Sequence, residues 1–534
     1  MSRPRPVLVV AVVLTTAVAA AASVRIARSQ ATPGGSLTTE QWPELSLEVH
    51  ELVLDNGFTI VIVQDARVPR VAASLWYRVG GLQERQGEHG ATHFLEHAIH
   101  QGTTTIGVND VGLDRRLLQE IHETELALIA ERNGRRNELR ERDIFYDEAE
   151  WPTSPQADSL RRRLYALEDE QSANRTFWPE YNWYREAGGI MRHGDPVPAN
   201  TGNELMRIEV DLPRSNLELF FRLEADRMAN AVLRGFEAQR FTVYEQFLNI
   251  NRNDRGRFSE ALNGATGIVH PNYLHPGGHM RDHAFWDRTS MLRMYDDYFV
   301  PNNATLALVG DVDIEQVRTL ANEYFGRVPR GPEPPANMDL EADPPPGGTI
   351  RLDWSEPQPT QLTVQYRIPG VGHPDRPAFD AAARLLGGAN GILAAAAAAV
   401  GAPSAGWSAS ASMTGSPTRL SIQARASRDA DLPALERAVQ EAVDRLRRGD
   451  IDGAALARIN RGMRLDWDAM RTHRGDLASE IGAFAVMDEW RTLRSFSERR
   501  HAATAADIER VAGRYLVPRN RVIGTTRQNP EGAR

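Results

Sequence analysis

The sequence predicts an α+β protein of two like domains joined by a proline-rich linker, and three observations carry that prediction. Strand-like and helix-like stretches alternate along the 534 residues, with short β-branched runs closed by turn residues and longer amphipathic runs between them. Residues 328–348 hold Pro329, Pro332, Pro334, Pro335, Pro344, Pro345 and Pro346 without hydrophobic periodicity, the composition of an extended linker. Finally, Tyr298-Phe299-Val300-Pro301-Asn302-Asn303 returns as Tyr515-Leu516-Val517-Pro518-Arg519-Asn520, each copy preceded by a helix pattern and followed by a strand pattern. Two copies argue for two domains of one fold, since a solenoid needs more repeats.

The elements follow in order. Residues 1–31 read as an export signal or, left uncleaved, a membrane anchor: Arg3 and Arg5, an apolar run from Val7 to Ala22, then small residues. The first domain spans 45–327. Val49 to Leu54 and Phe58 to Val63 flank Asp55-Asn56-Gly57, an Asn-Gly hairpin, and Arg70 to Val79 is a third strand. Residues 108–171 are dense in Arg and Glu with leucines at helical spacing, and predict a charged helical insertion. A strand over 205–212, helices over 216–230 and 236–249, a strand over 304–309 and a helix over 314–325 complete the domain. His275, His279 and His283 lie at irregular spacing around Pro276-Gly277-Gly278 and read as loop histidines, not ligands. The second domain, 349–526, restarts with strands at 349–354 and 361–368 and a helix at 376–386. A small-residue helix at 394–399, paired strands at 408–413 and 418–426 and long helices at 432–448 and 453–471 follow.

Composition removes several chemistries. The net charge of −9, with no basic block, argues against a nucleic-acid partner. With 0 cysteines there is no disulfide, thiolate nucleophile or Cys-ligated metal, and a chain without them is compatible with an oxidising compartment. All 62 basic residues are arginine, so Schiff-base lysine chemistry is also absent. A metal site would have to be built from His, Asp and Glu.

Thr92-His93-Phe94-Leu95-Glu96-His97-Ala98 has the pieces of one. His93 and His97, at i and i+4 of a helix, lie about 40° apart around its axis and can face one metal ion. Glu96 stands beside them, placed to take a proton from a metal-bound water. H-x-x-E-H is the inverted form of the zinc-peptidase motif. It supplies two of the three protein ligands that a catalytic zinc needs.

The surroundings of this motif resemble the insulinase/pitrilysin family of zinc peptidases, in particular its shorter bacterial and processing-peptidase-like members. The likeness rests on Gly80-Gly81, Glu84, Gly90 to His97, Gly102-Thr103, His270-Pro271, Tyr298 to Asp311, Gly387-Gly388 and the echo at 515–522. It covers about Leu45 to Thr526 apart from the insertion. The resemblance implies two homologous domains, each an antiparallel sheet with helices on one face, and halves that pair into a chamber around an unfolded peptide. It implies Zn2+ held by His93 and His97, with Glu96 as the base that activates water.

Two departures from the family pattern stand out. The family's third ligand is a glutamate on a later helix, seven residues after another glutamate; aligned there, this chain has Gln239 and Gln246. Glu245 is one residue off, about 100° around the helix. It is the carboxylate taken as third ligand, while Gln246 occupies the family register. The arginine and tyrosine that bind substrate in the family's second domain have no arginine counterpart between Val400 and Trp407. In two-chain members the motif and that clamp sit on different subunits. The expectation is therefore an exported, periplasmic or secreted zinc metalloendopeptidase, or its zinc-bearing subunit, acting on peptides with a related partner subunit or as a homodimer. The alternative is a non-catalytic structural or peptide-binding subunit.

Overall fold

The computed structural model describes residues 35–42, 47–142, 154–176, 182–192, 198–252, 254–266, 278, 280–283, 286–334, 348–403 and 406–528. The expected export segment, most of the linker, and His270, Pro271, His275 and His279 lie outside them.

Two sheets organise the chain. The first contains β1 (Gly35–Trp42), β2 (Leu47–Leu54), β3 (Thr59–Gln64), β4 (Arg70–Tyr77), β5 (Ile190–Met191), β7 (Met206–Pro213) and β8 (Ala304–Gly310), in the order β1-β2-β3-β8-β4-β7-β5. The short β6 (Ala199–Thr201) pairs with β7. Every pair is antiparallel except β3 with β8. The β2–β3 hairpin turns where the sequence predicts it, with Gly57 at φ 89, in the left-handed region that favours glycine. Asn56 also uses its side-chain amide to bond the carbonyls of Phe325 and Val328, both at 2.8 Å, which locks the turn to the end of the domain.

The second sheet runs β11 (Gly406–Ala411), β12 (Thr418–Arg425), β10 (Gln361–Ile368), β13 (Arg521–Arg527), β9 (Ile350–Pro357), again with one parallel pair, β13 with β9. The two orders superimpose: β3, β8, β4, β7 and β6 occupy the places of β9, β13, β10, β12 and β11. The repeated hexapeptide has the same job in both. Asn303 donates to the carbonyls of Arg78 and Tyr298, and Asn520 to those of Arg367 and Tyr515, each pinning a helix end to the start of a central strand.

On one face of the first sheet lie α1 (Ala91–Ala98), α4 (Leu217–Asn230), α5 (Phe236–Asn251), α7 (Arg288–Tyr298) and α8 (Ile314–Glu323), around Leu75, Phe94, Phe220, Phe221 and Leu306. The insertion forms α2 (Val111–Glu141) and α3 (Pro155–Ala173), with a narrow apolar seam of Leu117, Ile121, Leu164 and Leu167. In the second domain α9 (Arg376–Leu386), α10 (Ile392–Ala399), α11 (Leu432–Arg447) and α12 (Gly453–Met470) follow, then α13 (Arg474–Met487), α14 (Thr492–Arg500) and α15 (Ala505–Tyr515).

Each domain lends a helix to the other. Leu477, Ile481 and Phe484 of α13 cover the far face of the first sheet, against Val61, Ala72, Ala307 and Val309. Because of this β4 is buried on both faces and reads as a nearly continuous apolar run. Gly482 admits the Trp76 indole, which lies 2.1 Å from where a Cβ would sit. In return α6 (Asp254–Thr266) presses Phe258 and Leu262 onto β13, where Gly524 leaves room. Each fully buried side chain of this kind contributes roughly 1.5–3 kcal/mol, so the seam fixes the two domains as one body.

Candidate functional site

The site begins with how α1 is held. Its N-terminal cap is Gly90, at φ 94, and a glycine has no side chain with which to cap the helix. Glu84 supplies the missing acceptor: its carboxylate takes the N–H of Gly90 at 2.7 Å and of Thr92 at 2.9 Å. Burial pushes the Glu84 carboxyl up to about 7, against the pull of those two amides. At the other end Gln101 bonds the His97 carbonyl, the His100 ring meets the Glu96 carbonyl at 2.7 Å, and the buried Arg227 donates to Ile99 O. Phe94, fully buried, packs on Phe236 at the start of α5 and on Trp286.

On this fixed helix His93 and His97 are half-buried, with ring centroids 5.1 Å apart. Burial lowers the His97 pKa, partly offset by a hydrogen bond to Gln246, which favours the neutral imidazole that a metal ligand must be. Glu96 is buried, and burial pushes its carboxyl up to about 7, while the Thr201 hydroxyl and the charge of Arg207 pull it down. Thr201, at the end of β6, donates to Glu96 Oε2 at 2.5 Å. A carboxyl balanced near 7 can take and return a proton at neutral pH.

The third position lies on α5. α5 turns Gln246 toward His97. Among the described residues no three His, Asp or Glu side chains lie close enough to hold a metal, so Glu245 is not brought to the histidine pair. The register of α5 is set at its start. Leu233 and Gly235 have φ 52 and 59, and between them Arg234, wholly buried, donates to Asp114 and to the carbonyls of Gln101, Thr103 and Ile106. The insertion thereby touches the site's frame: Asp114 pairs with Arg234 at 2.7 Å, Glu125 with Arg288 at 3.1 Å, and Glu168 accepts the Glu237 N–H at the start of α5. Gln239 is buried on the same stripe of α5 as Gln246, seven residues earlier. His283 is a buried core histidine among Tyr244, Phe247 and Trp286.

In the second domain Trp407 on β11 lines an open groove of about 490 Å³ with Arg384, Gly387, Gly388, Arg458 and Ile459. α9, which stands where α1 stands in the first domain, has no histidine or glutamate. Its Arg376 and Asp380 pair with each other at 2.6 Å.

The family model described as insulinase (peptidase family M16) matches residues 59–112, from β3 through α1, and that described as the peptidase M16 inactive domain matches 286–463. Both matches are to models of the insulinase/pitrilysin family, and the chain is similar to that family in each of its two domains. A zinc protease PqqE of Helicobacter pylori is 21% identical over 341 residues, 61% of this chain and 75% of that protein. A protease structure from Helicobacter pylori superimposes with TM-score 0.67 at 18% identity, over 92% of this chain and 100% of that one. The periplasmic protease PqqL of Escherichia coli gives TM-score 0.62 at 16% identity, over 93% of this chain and 49% of that one. The chain spans about half the length of PqqL. No helix among the described residues is long and apolar enough to cross a membrane.

Two site residues, Thr201 and Arg234, carry no signal in the sequence. Both act through contacts more than 100 positions away, and neither belongs to a local pattern that marks it.

Proposed function

We propose that the chain is an exported metallopeptidase subunit that cuts extended or unfolded peptides, with His93, His97 and the amide oxygen of Gln246 holding zinc. The observation that supports this reading is the Gln246 side chain set against His97, one helix turn from His93. The donor set gives a zinc ion two imidazoles and an amide oxygen, a poorer donor than the carboxylate of the family pattern, so the site binds it more weakly than one with that carboxylate. Bound there, zinc supplies Lewis-acid polarisation of the scissile carbonyl and a more acidic water. Glu96 takes the water's proton on its carboxylate and returns it to the leaving amine, and Thr201 fixes the orientation of that carboxylate. The partner we infer is a related half, by analogy with PqqL, whose chain is about twice as long; its periplasmic setting also suggests where this chain works.

A second reading has its own support. An amide at the third position, and a base already bonded to Thr201, suit a peptide-binding subunit that no longer cuts. Cleavage of an unstructured peptide by zinc-loaded wild type and Glu96→Gln separates the two. The peptidase reading expects cleavage in the wild type and a loss of about 10²–10⁴-fold in Glu96→Gln, with bound zinc unchanged. Equal rates in both would refute the role of Glu96, and peptide binding without cleavage by the zinc-loaded wild type would establish the second reading.

A further inference from the structure

The segment between β6 and β7 makes an interdomain contact that the chemistry above does not use. Glu204 is buried, 5% exposed, and its two carboxylate oxygens accept the backbone N–H groups of Gly415 at 2.6 Å and Ser416 at 2.7 Å. Those amides belong to the turn between β11 and β12 of the second domain. Two charge-assisted bonds of this length to backbone donors are strong and directional.

Neither end of the contact has slack. On the second-domain side, Val371 donates to the Thr414 carbonyl at 2.9 Å. A Cβ on Gly370 would stand 1.8 Å from the Gly415 carbonyl oxygen, and one on Gly415 2.3 Å from that of Met487. On the first-domain side, Gly81 and Leu82 donate to the carbonyls of Gly202 and Asn203 at 3.3 and 2.8 Å. A Cβ on Gly80 would meet the Gly202 carbonyl oxygen at 2.4 Å. Glu204 thus stands at the end of a tightly packed turn whose other end is Thr201, the donor to Glu96.

We propose that Glu204 is a positioning residue for Glu96: it ties the second domain's turn to the segment that carries Thr201, so the docking of the two domains sets where the Glu96 carboxylate is held. The inference rests on Glu96 being the base, as proposed above. The loop between β11 and β12, which carries none of the site's side chains, thereby becomes part of its support.

The test uses the full zinc-loaded chain as wild type, Glu204→Gln, Thr201→Val, the double variant and Glu204→Asp. Hydrogen exchange is read at Gly415 and Ser416 and at residues 199–205, beside steady-state kinetics on an unstructured peptide. Glu204→Gln should speed exchange in both segments and lower kcat by up to about 100-fold, with KM within about twofold. Thr201→Val should lose a similar factor, and the double variant no more than the worse single one, because the two act in one chain of contacts. Glu204→Asp should recover part of kcat. Losses that multiply in the double variant, or faster exchange confined to Gly415 and Ser416, would overturn the proposal. If the wild type cleaves nothing, the exchange arm still decides it: spread to 199–205 supports the coupling and confinement refutes it, while the missing cleavage counts against the peptidase reading alone. Should Glu204→Gln fail to fold, Glu204→Asp carries the same arms.

Discussion

α1 and α9 occupy one place in two like sheets and have been put to different uses. α1 carries His93, Glu96 and His97, and the bonds at its ends are supplied from elsewhere by Glu84, Gln101 and Arg227. On α9 the polar pair is spent on the fold: Arg376, wholly buried, bonds Asp380 and the carbonyls of Ala411 and Ser412 at the end of β11. A helix can present reactive groups to a cleft only if other residues take over its structural polar bonds. The first domain meets that condition with Glu84, Gln101 and Arg227.

The comparison can be broken at several points. The largest expected effect on stability is in the second domain. Asp380→Ala leaves the Arg376 guanidinium buried without its carboxylate and should cost about 3–5 kcal/mol, read as a lower denaturant midpoint, with zinc per folded molecule unchanged. Loss of zinc in that variant would contradict the division of labour between the two helices. A smaller effect tests the seam that joins the domains. Gly482→Ala puts a methyl group against the Trp76 ring, 2.1 Å from the ideal Cβ position. Overpacking of this kind should cost about 1–3 kcal/mol, and a neutral change would show that α13 can slide on the first sheet.

The smallest effect concerns pH. Burial pushes the Glu168 carboxyl, which accepts the N–H at the start of α5, up to about 7. A carboxyl raised in the folded state is protonated there while the unfolded chain has already ionised. Its contribution to stability is therefore full below the unfolded value near 4.5, falls as pH rises toward 7 and is flat above it. Urea midpoints at pH 5 and 7.5 should show wild type losing more stability across that window than Glu168→Gln. Parallel losses would remove Glu168 from the account.

How much of this could be read from the letters divides along the range of the contacts. His93, Glu96 and His97 fall within one turn of one helix, so spacing alone places them together. The hairpin at Asn56-Gly57, the helix at 376–386 and the repeated hexapeptide are equally local, and they too were legible. β1 was not, because Gly35–Trp42 alternates only weakly and is held as a strand by pairing with β2. The exchange of α6 and α13 between domains was hidden for the same reason, since a helix's own sequence does not name the sheet it covers. At the third ligand position the sequence left one residue of ambiguity, worth about 100° of rotation. In the structure Arg234 and Asp114, 120 positions apart, fix the start of α5, and Gln246 is set against His97. Thr201 and Glu204 sit in a turn with no periodicity, and only the packing of two domains gives them a role.

The central claim is that the site binds zinc through His93, His97 and a neutral Gln246, and zinc affinity tests it most directly. Competition titration of wild type, His97→Ala and Gln246→Glu with a chromogenic chelator measures it without reference to activity. The account predicts one weakly held zinc per wild-type chain, none in His97→Ala, and binding tighter by about tenfold or more in Gln246→Glu, where a carboxylate replaces the amide. A wild type that takes up no zinc, together with a Gln246→Glu variant that gains none, would contradict it.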